Sequence, residues 1–510
     1  MKLTPVHSPD FPRALYTAEQ TRQLDRLAIE SGIPAIQLMK RAGRAAFEQL
    51  LARYPAVNGV TVYCGSGNNA GDGYVIAALA AQRRMPVTLI AVGDPDKLQD
   101  EAAQARDYAL QEGVLITPLE RATAPTDGVI VDALLGTGLS GEVRSRYVDV
   151  IDSINASGLP VLAVDVPSGL NADTGALMGC AVRAEVTVTF IGVKRGLLTG
   201  RGPAVTGELL FADLGVPASI YESQTAVVNR LDARVIPARL PRRAPDAHKG
   251  DFGHVMVIGG DTGFGGAAMM AAEAAARTGA GLVSLATRPE HVAPALTRRP
   301  EIMVCGVTSG QELEPWLARP TVLVVGPGLG QSPWSEQMLQ QALQTGLPLV
   351  LDADALNLLA AHRPAAADAR DNWILTPHPG EAARLLHTQT DDVQSDRFDA
   401  IQRLHHRYGG ATILKGAGSL VYSGSRIGLL DAGNPGMATG GMGDVLSGIL
   451  GGLLAQGLSV GEAAALGATL HAGAADLAVG DWGERSLLAT DLIPALCQLL
   501  QAEADNGKRG

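Results

Sequence analysis

Short apolar runs alternate with helix-forming segments along nearly the whole chain, and this alternation limits the possible folds more than any other feature. In the first half the runs are GVTVYC, PVTLIAVG, GVIVDALLG, PVLAVDVPSG and AEVTVTFIG, and helical patterns follow several of them. Each run is apolar on both faces, as expected for parallel strands covered by helices on each side. The pattern predicts an α/β fold in which a Rossmann-like three-layer sandwich ends near Pro217.

The alternation begins again in the second half with the run GHVMVIGG. The later runs PTVLVVGPGLG, LPLVLDADAL, NWILTPHPGE and ATILKGAG have polar residues at their carboxyl ends, where α/β sheets bind ligands. A chain of 510 residues is too long for one ordinary domain. We therefore expect a first domain over residues 1–220, a connection over 221–247 that contains several Pro and Arg residues, and a second α/β domain over 248–505.

Charge and cysteine content argue against several classes of protein. The net charge is −11 and no basic block is present, so nucleic-acid binding has little electrostatic support. The four cysteines lie far apart without a C-x-x-C pair, which argues against a zinc knuckle or a disulfide framework. The N-terminal segment has no continuous apolar core, and the stretch VLSGILGGLLAQGL is too short to span a membrane. We expect a soluble cytoplasmic protein that binds neither nucleic acid nor membranes.

The loop GSGNNAGDGY follows the first of these strands. Gly65, Gly67 and Ala70 fit the pattern G-x-G-x-x-G/A of dinucleotide-binding loops. A dehydrogenase would also need an acidic residue roughly 20 residues later, and Asp94 comes a little late for this. A tight structural turn is a further explanation, so this loop alone leaves the function open.

Two more strands of the first half end in acidic residues. Asp132 ends the run before a glycine-rich loop, and Asp165 and Ser168 follow the next strand. These side chains could meet Asn69 and Asp72 at one edge of the sheet. Oxygen ligands at such an edge can hold a hard cation, or can offer an acid–base group to a substrate. Asp132 alone could also be a loop anchor or a helix cap.

The motifs GSGNNAGDGY, DALLGTGLSGE and DVPSGLNADTG, in this order, resemble the NAD(P)H-hydrate epimerase family over nearly the whole first half. The resemblance implies that a hydrated nicotinamide nucleotide is bound as a damaged substrate and not as a hydride carrier. It also implies a potassium ion held by Asn69, Asp132 and Ser168, and an acid–base role for Asp165. The implied substrate contacts are Asn68, Asn69, Ala70, Gly71, Asp72, Gly136, Thr137, Gly138, Leu139, Ser140, Gly141, Glu142, Tyr147 and Asp165.

The segment NPGMATGGMGDVLSGIL is the most informative part of the second half. Gly440, Gly441 and Gly443 free the backbone to turn into a helix that should begin near Asp444. The N-terminus of a helix offers unpaired N–H groups to a phosphoryl group in transit. An acid at this point can take a proton from an attacking hydroxyl. The alternative is a glycine-rich helix start in which Asp444 is only the capping residue.

Two further loops of the second half carry polar residues. ATILKGAG places Lys415 after a strand and before Gly416 and Gly418, an arrangement that suits a phosphate or a nucleotide but is not a Walker loop. TPHPGE places His378 between two prolines that fix the backbone. A lone histidine is often structural, but its position in a rigid loop at a strand end favours contact with a ligand.

The pattern N-x-x-x-A-T-x-G-x-G-D, with KGAG and TPHPGE, resembles the ribokinase-like superfamily. Together with GDTGFGGAAMMAAEAA, VVGPGLG and DADALN, it resembles ADP-dependent NAD(P)H-hydrate dehydratase over about residues 230–505. The resemblance implies Asp444 as the catalytic base and Mg²⁺ bound with ADP as the phosphoryl donor. The implied substrate contacts are Ala267, Gly328, His378 and Asp444, and the implied adenine-nucleotide contacts are Lys415, Gly416, Ala417, Gly418, Ser419 and Gly443.

The two resemblances together predict a bifunctional enzyme that repairs hydrated NADH and NADPH. The first half would interconvert the R and S hydrates, and the second would dehydrate the S form at the expense of ADP, releasing AMP and phosphate. We expect a homo-oligomer with small-molecule substrates. The main alternative is a ribokinase-like vitamin or sugar kinase with a non-catalytic nucleotide-binding module at its N-terminus.

Overall fold

The computed structural model describes residues 3–232, 240, 242–362 and 369–506. The chain separates into two compact units, Met1–Asn229 and Arg230–Gly510. The boundary falls within the predicted connection, of which residues 233–239 and 241 lie outside the described part. Both units are α/β, with largely parallel sheets, as the alternation of apolar runs predicts.

Helices and strands alternate along most of the first unit. The elements are β1 (Thr4–Pro5), β2 (Ala14–Tyr16), α1 (Ala18–Glu30), α2 (Ala35–Arg53), β3 (Val60–Cys64), α3 (Asn68–Gln82), β4 (Val87–Ala91), α4 (Asp100–Gln111), β5 (Ile116–Pro118), β6 (Val129–Ala133), α5 (Ser145–Ala156), β7 (Val161–Val164), β8 (Val186–Phe190), β9 (Val193–Lys194), α6 (Gly202–Thr206), β10 (Glu208–Ala212), α7 (Ser219–Glu222) and β11 (Val228–Arg230).

The main sheet of this unit has the strand order β1-β10-β8-β7-β6-β3-β4-β5 and is parallel apart from β1. Its two faces are buried in separate cores. Val62 and Val131 point into the core that contains α1 to α4, whereas Ile90 and Ile130 pack with Ile151 of α5. This is the predicted three-layer sandwich. The unit continues beyond Pro217, because Val228 of β11 pairs with Leu15 of β2.

Alternation of helices and strands resumes in the second unit. The elements are β12 (His254–Ile258), α8 (Gly265–Thr278), β13 (Leu282–Thr287), α9 (Val292–Arg298), β14 (Met303–Gly306), α10 (Gly310–Leu313), β15 (Val322–Val325), α11 (Pro333–Gln344), β16 (Leu349–Leu351), α12 (Ala353–Ala360), β17 (Trp373–Leu375), α13 (Pro379–Leu386), α14 (Thr390–Ser395), α15 (Arg397–Tyr408), β18 (Ala411–Leu414), β19 (Ser419–Tyr422), β20 (Ile427–Leu430), α16 (Met442–Ala455), α17 (Val460–Trp482) and α18 (Leu492–Asn506).

The strands of this unit follow the order β14-β13-β12-β15-β16-β17-β18-β19-β20. The pairs from β14 to β18 are parallel, and β18, β19 and β20 form an antiparallel meander. On one face α16 packs tightly against α8. A Cβ on Gly448 would lie 2.1 Å from the Ala271 carbonyl oxygen, so glycine is required for the two helices to approach this closely.

Both sheets reverse their strand order beside a central strand, β3 in the first unit and β12 in the second. From β3 the chain moves to β4 and β5 on one side and then to β6 on the other, and β12 is flanked in the same way by β13 and β15. The loops at the carboxyl ends of the two strands beside such a reversal separate and leave a crevice. Each unit therefore has one position at which ligand binding is expected.

Candidate active sites

A cavity of about 600 Å³ lies in the first unit, at the crevice between β3 and β6. Its lining includes many of the predicted substrate contacts: Asn68, Asn69, Asp72, Gly136, Thr137, Gly138, Leu139, Ser140, Glu142, Tyr147 and Asp165. Ala70, Gly71 and Gly141 are not in this lining, and Gly71 instead packs against Met39 on α2. The side chains therefore converge because their loops follow neighbouring strands.

Asp165 is fixed in the cavity wall by a buried lysine. Its Oδ1 accepts hydrogen bonds from Lys194 Nζ, from Thr189 Oγ1 at 3.1 Å and from the Phe190 N–H at 3.2 Å. Lys194 is 1% exposed and also donates to the Phe190 carbonyl oxygen at 3.1 Å. In the described part of the chain, Asp165 Oδ2 has no hydrogen-bond partner. One oxygen is thus anchored, and the other is free to meet a substrate.

Two further carboxyl groups line the same cavity. Asp25 comes from α1 and Asp72 from the first turns of α3. Burial raises the pKa of Asp25 to about 6, with the charge of Lys194 opposing the shift and that of Asp165 adding to it. Burial and the carboxylates of Asp165 and Asp25 raise the pKa of Asp72 well above its ordinary value. Asp25 and Asp72 therefore keep their protons to a higher pH than an aspartate that is exposed to water.

The three predicted ion ligands are linked through Leu135, because Asn69 and Ser168 both hydrogen-bond to this residue and Ser168 also bonds to Asp132. Asp132 is 0% exposed, and its carboxylate accepts from the Ser168 hydroxyl at 2.5 Å and the Ser168 N–H at 2.8 Å. Asn69 donates through Nδ2 to the Leu135 carbonyl oxygen at 3.1 Å. Its own Oδ1 is buried and has no partner among the described atoms. A buried acceptor without a donor fits a bound cation, because leaving such a group unsatisfied costs free energy.

In the second unit, an ion pair between the buried Asp352 and the partly exposed Lys415 lies beneath the start of α16. Lys415 Nζ donates to Asp352 Oδ1 at 2.9 Å, and the Thr376 and Ser447 hydroxyls also donate to this carboxylate. Although burial alone would raise it, these partners hold the pKa of Asp352 below its ordinary value. A Cβ on Gly443 would lie 3.3 Å from Lys415 Nζ. Glycine there lets the first turn of the helix approach the cation.

Asp444 lies in the first turn of α16. The helix begins at Met442, two residues before the predicted start, because Gly441 adopts a left-handed conformation with a φ of 94° and turns the chain into the helix. Burial, together with the charge of Asp352 and against that of Lys415, raises the pKa of Asp444 to about 7. A carboxyl group that titrates near neutral pH suits a general base.

The packing of α8 against α16 brings Ala267 and Gly328 to the same end of the unit. Gly448 faces Ala271 and Gly452 faces Ala275, so the helices run parallel in a register that puts Ala267 level with Asp444. A Cβ on Gly328 would lie 3.0 Å from the Ala267 Cβ. These three predicted substrate contacts therefore lie at the crevice beside β12.

His378 and the loop after β18 border the same ion pair. His378 accepts at Nδ1 from the Gly380 N–H at 3.0 Å, and burial followed by the charge of Lys415 lowers the pKa of this imidazole. Ser419 closes the loop by donating to the Gly416 carbonyl oxygen at 2.9 Å. Buried Arg397 supports the loop by donating to the carbonyl oxygens of Leu414 and Lys415. The remaining predicted nucleotide contacts, Ala417 and Gly418, lie within it.

Several residues at these sites are absent from the sequence predictions. Asp25 and Lys194 belong to α1 and β9, which are not among the strand-end loops of the first unit. In the second unit the sequence predictions missed Asp352 and also Glu381, whose carboxylate lies 3.9 Å from Lys415 Nζ and accepts from the His378 N–H. The motif DADALN contains Asp352 at a strand end, so position could have revealed it. No comparable signal marks Asp25, which lies within an ordinary amphipathic helix.

Comparison with known proteins gives the family. A family model described as YjeF-related protein N-terminus matches residues 35–196, and one described as NAD(P)H-hydrate dehydratase matches residues 255–498. The bifunctional NAD(P)H-hydrate repair enzyme of Coxiella burnetii is 52% identical over 483 residues, which cover 94% of this chain and 98% of that protein. The chain belongs to the family of bifunctional NAD(P)H-hydrate repair enzymes. The protein of the same description from Escherichia coli is 45% identical, over 99% of this chain and 96% of that protein.

A solved structure has a similar fold over part of this chain. A hypothetical protein from Streptococcus mutans has 29% identity and a TM-score of 0.50, over 54% of this chain and 99% of that chain. Three predictions are confirmed: the family, the α/β fold with a ribokinase-like second part, and the function as a repair enzyme. In the described ranges, no helix has the length and apolar character that crossing a membrane requires.

Proposed function

We propose that this chain restores hydrated NADH and NADPH by two reactions, one in each unit. The unit containing Asp165 interconverts the R and S hydrates, and the unit containing Asp444 dehydrates the S hydrate with ADP, releasing AMP and phosphate. The observation that carries the proposal is the position of Asp444. It lies in the first turn of α16, beside the ion pair Lys415–Asp352 and level with Ala267.

Dehydration is difficult because hydroxide is a poor leaving group. Asp444 takes the proton of the ring hydroxyl, which then attacks the terminal phosphoryl group of ADP and becomes a phosphate ester. The amides of residues 440–444 and the nearby Lys415 ammonium stabilise the charge on the phosphoryl group during transfer. Phosphate then leaves C6 and a proton leaves C5 to the solvent, and together these losses restore the ring double bond. His378 and the loop from Lys415 to Ser419 hold the substrate and the adenine nucleotide.

Mg²⁺ is proposed as the ion that accompanies ADP. The residues fit an ion held chiefly by the phosphates, because the buried Asp352 carboxylate already accepts from Lys415, Thr376 and Ser447. A bound Mg²⁺ would neutralise part of the charge on the phosphates. This leaves Asp444 to act on the hydroxyl proton.

Potassium is proposed for the first unit. The supporting observation is that Asn69 Oδ1 is buried and has no hydrogen-bond partner among the described atoms. In the predicted ligand set of Asn69, Asp132 and Ser168, only the buried Asp132 carries a charge. One carboxylate with neutral oxygens suits a monovalent cation better than Mg²⁺, which favours tighter octahedral coordination. The ion would balance the charge of Asp132 and hold the three loops around the substrate. A homo-oligomeric state and a cytoplasmic location remain predictions.

One experiment tests the paired activities. The purified chain is incubated with a mixture of R and S NADH hydrates, ADP and Mg²⁺, and the return of NADH absorbance is followed. We expect complete recovery with ADP and none without it. Accumulation of a stable phosphoester without NADH would identify a kinase instead, and recovery that stops at the S fraction would remove the epimerase activity from the proposal.

A further inference from the structure

Asp25 is placed in the epimerase cavity without an evident structural task. It is half-buried on α1 and lines the cavity together with Asp72 and Asp165. No hydrogen bond or ion pair joins its carboxyl group to the rest of the described chain. A half-buried acid without a partner reduces stability, so a role in folding does not explain it.

The buried lysine of this cavity donates to Asp165 and not to Asp25. Lys194 donates to Asp165 Oδ1, to Thr189 Oγ1 at 3.3 Å and to the Phe190 carbonyl oxygen at 3.1 Å, so its three N–H groups are used. Asp165 is therefore held in place by an ammonium at one oxygen, whereas Asp25 shares the cavity without a donor of its own.

The groups that surround Asp25 come from every neighbouring element. Lys194 lies on β9, Asp165 follows β7, Asp72 belongs to α3 and Glu101 to α4, and each acts on the charge of Asp25 or of its neighbour. On its own helix, Arg22 pairs with Glu19 at 3.3 Å. The charge of Asp25 also acts on Tyr221 of α7, and Arg144 and Glu142 line the same cavity. Three carboxyl groups thus share one buried cation, which cannot keep all of them ionised.

We propose that Asp25 is a second acid–base residue of the epimerisation reaction, and that it donates a proton while Asp165, held by Lys194, accepts one. This inference rests on the proposed epimerase function of the first unit. The two roles follow from the geometry, because one carboxyl group is anchored by an ammonium and the other faces the same cavity without a partner.

The chemistry of the substrate needs such a pair. The hydrated ring carries a hydroxyl on C6, the carbon bonded to ring nitrogen N1. Asp165 removes the hydroxyl proton, the C6–O bond becomes a carbonyl, the C6–N1 bond breaks, and Asp25 gives its proton to N1. After rotation about the C5–C6 bond, N1 attacks the opposite face of the carbonyl. The N1 proton returns to Asp25, and Asp165 returns its proton to the oxygen, so neither redox change nor a co-reactant is required.

Asp25→Asn tests the inference. R hydrate is incubated with the variant without ADP, so that dehydration is off, and the R and S epimers are separated by chromatography. We expect kcat for epimerisation to fall by roughly 10²-fold with little change in KM. In the wild type, epimerase activity should decline as the pH rises through about 6 and Asp25 loses its proton. This decline should be absent from Asp25→Asn. Asp25→Glu should recover part of the rate. Glu30→Gln, an exposed change on the same helix, should leave it unchanged.

Stability separates this role from a structural one. The pKa of Asp25 is raised in the folded chain, so its ionisation costs stability as the pH rises from 3.8 to about 6, and the cost persists above that. Asp25→Asn should therefore keep or raise Tm at pH 8 and retain full dehydratase activity. Four results would each overturn the inference: an unchanged kcat, a loss confined to KM, a lowered Tm with loss of both activities, or a decline above a pH of about 6 that disappears in Asp72→Asn and not in Asp25→Asn. A wild-type chain that does not interconvert the epimers would instead refute the proposed function.

Discussion

Asp165 has a backbone conformation that residues other than glycine rarely adopt. Its φ is 65°, and its N–H donates to the Val188 carbonyl oxygen at 2.8 Å. Left-handed backbone at such a residue costs roughly 1–3 kcal/mol and persists where the surroundings hold it in place. The bonds from Lys194 and Thr189 provide this restraint. The strained turn places one carboxylate oxygen on the lysine and leaves the other in the cavity.

Asp444→Asn should abolish dehydration while ADP binding remains. Loss of a positioned general base typically lowers the rate by 10²–10⁴-fold or more. Because the base must be deprotonated, wild-type kcat should rise with pH as Asp444 loses its proton at about 7. NADH absorbance gives the rate and calorimetry gives the ADP affinity. Asp481→Asn, an exposed change on α17, is the matched control. Near-normal turnover of Asp444→Asn would exclude it as the base.

The potassium proposal predicts anomalous density beside Asn69. Crystals soaked in rubidium or thallium should show a peak within the set Asn69, Asp132 and Ser168, because the buried Asn69 Oδ1 needs a positive partner. Epimerase activity should fall when potassium is replaced by a bulky organic cation. The Ser168 hydroxyl and N–H already donate to the Asp132 carboxylate. If no peak appears and activity does not depend on the cation, these hydrogen bonds are enough to satisfy Asp132 and the potassium proposal is wrong.

At the scale of elements, the contact between α8 and α16 determines where the dehydratase site forms. Small residues face each other along both helices, and a Cβ on Gly451 would lie 2.5 Å from Val324 in the sheet beneath. The helices can therefore lie close together and start at the same end. Their two N-terminal turns then border one crevice, which is how residues that are far apart in sequence come to share a site.

Gly448→Ala should destabilise the second unit. The added methyl would lie 2.1 Å from the Ala271 carbonyl oxygen, and backbone cannot yield as a flexible side chain does. Overpacking of this kind costs roughly 1–3 kcal/mol, so Tm should fall by several degrees. Gly480→Ala makes the same change in a helix with nothing within 4 Å, and it should be neutral or stabilising. Calorimetry of both variants measures the difference, and equal Tm values would contradict the packing argument.

Sequence patterns predicted the elements better than the site. The strands could be found because their apolar runs are buried on both faces, and residues at their carboxyl ends, such as Asp132 and Asp165, could be inferred from topology. Asp25 and Lys194 could not, because they reach the cavity through the packing of α1 and the short strand β9. Asp352 could have been singled out by its strand-end position in DADALN, but its pairing with Lys415 is a tertiary contact that the sequence does not show.

At the scale of the whole chain, two α/β units each have a crevice at a reversal of strand order. The catalytic groups proposed for the two reactions all lie within one unit each: Asp165, Lys194 and Asp25 in the first, and Asp444, Lys415 and Asp352 in the second. Each reaction therefore has its own complete set of residues. Mutations in one unit should affect one reaction alone.

Asp165→Ala should leave the S hydrate fully repairable and make repair of the R hydrate slow. Recovery of NADH from mixed epimers should then be biphasic, with only the slow phase altered, because the variant lacks the proton acceptor of the first unit. Asp152→Ala, which removes an exposed carboxylate from α5, serves as the control and should match wild type. Equal slowing of both phases would show that the reactions are not divided between the units in this way.

The ion pair of Lys415 and Asp352 also limits how the family can diverge. Removing one partner alone leaves a buried charge without compensation, which typically costs roughly 3–5 kcal/mol, a large part of the stability of a domain. A lineage that loses either residue should therefore fold poorly before it can acquire the second change. Across related sequences we expect these two positions, 63 residues apart in the chain, to be replaced together or to stay as they are.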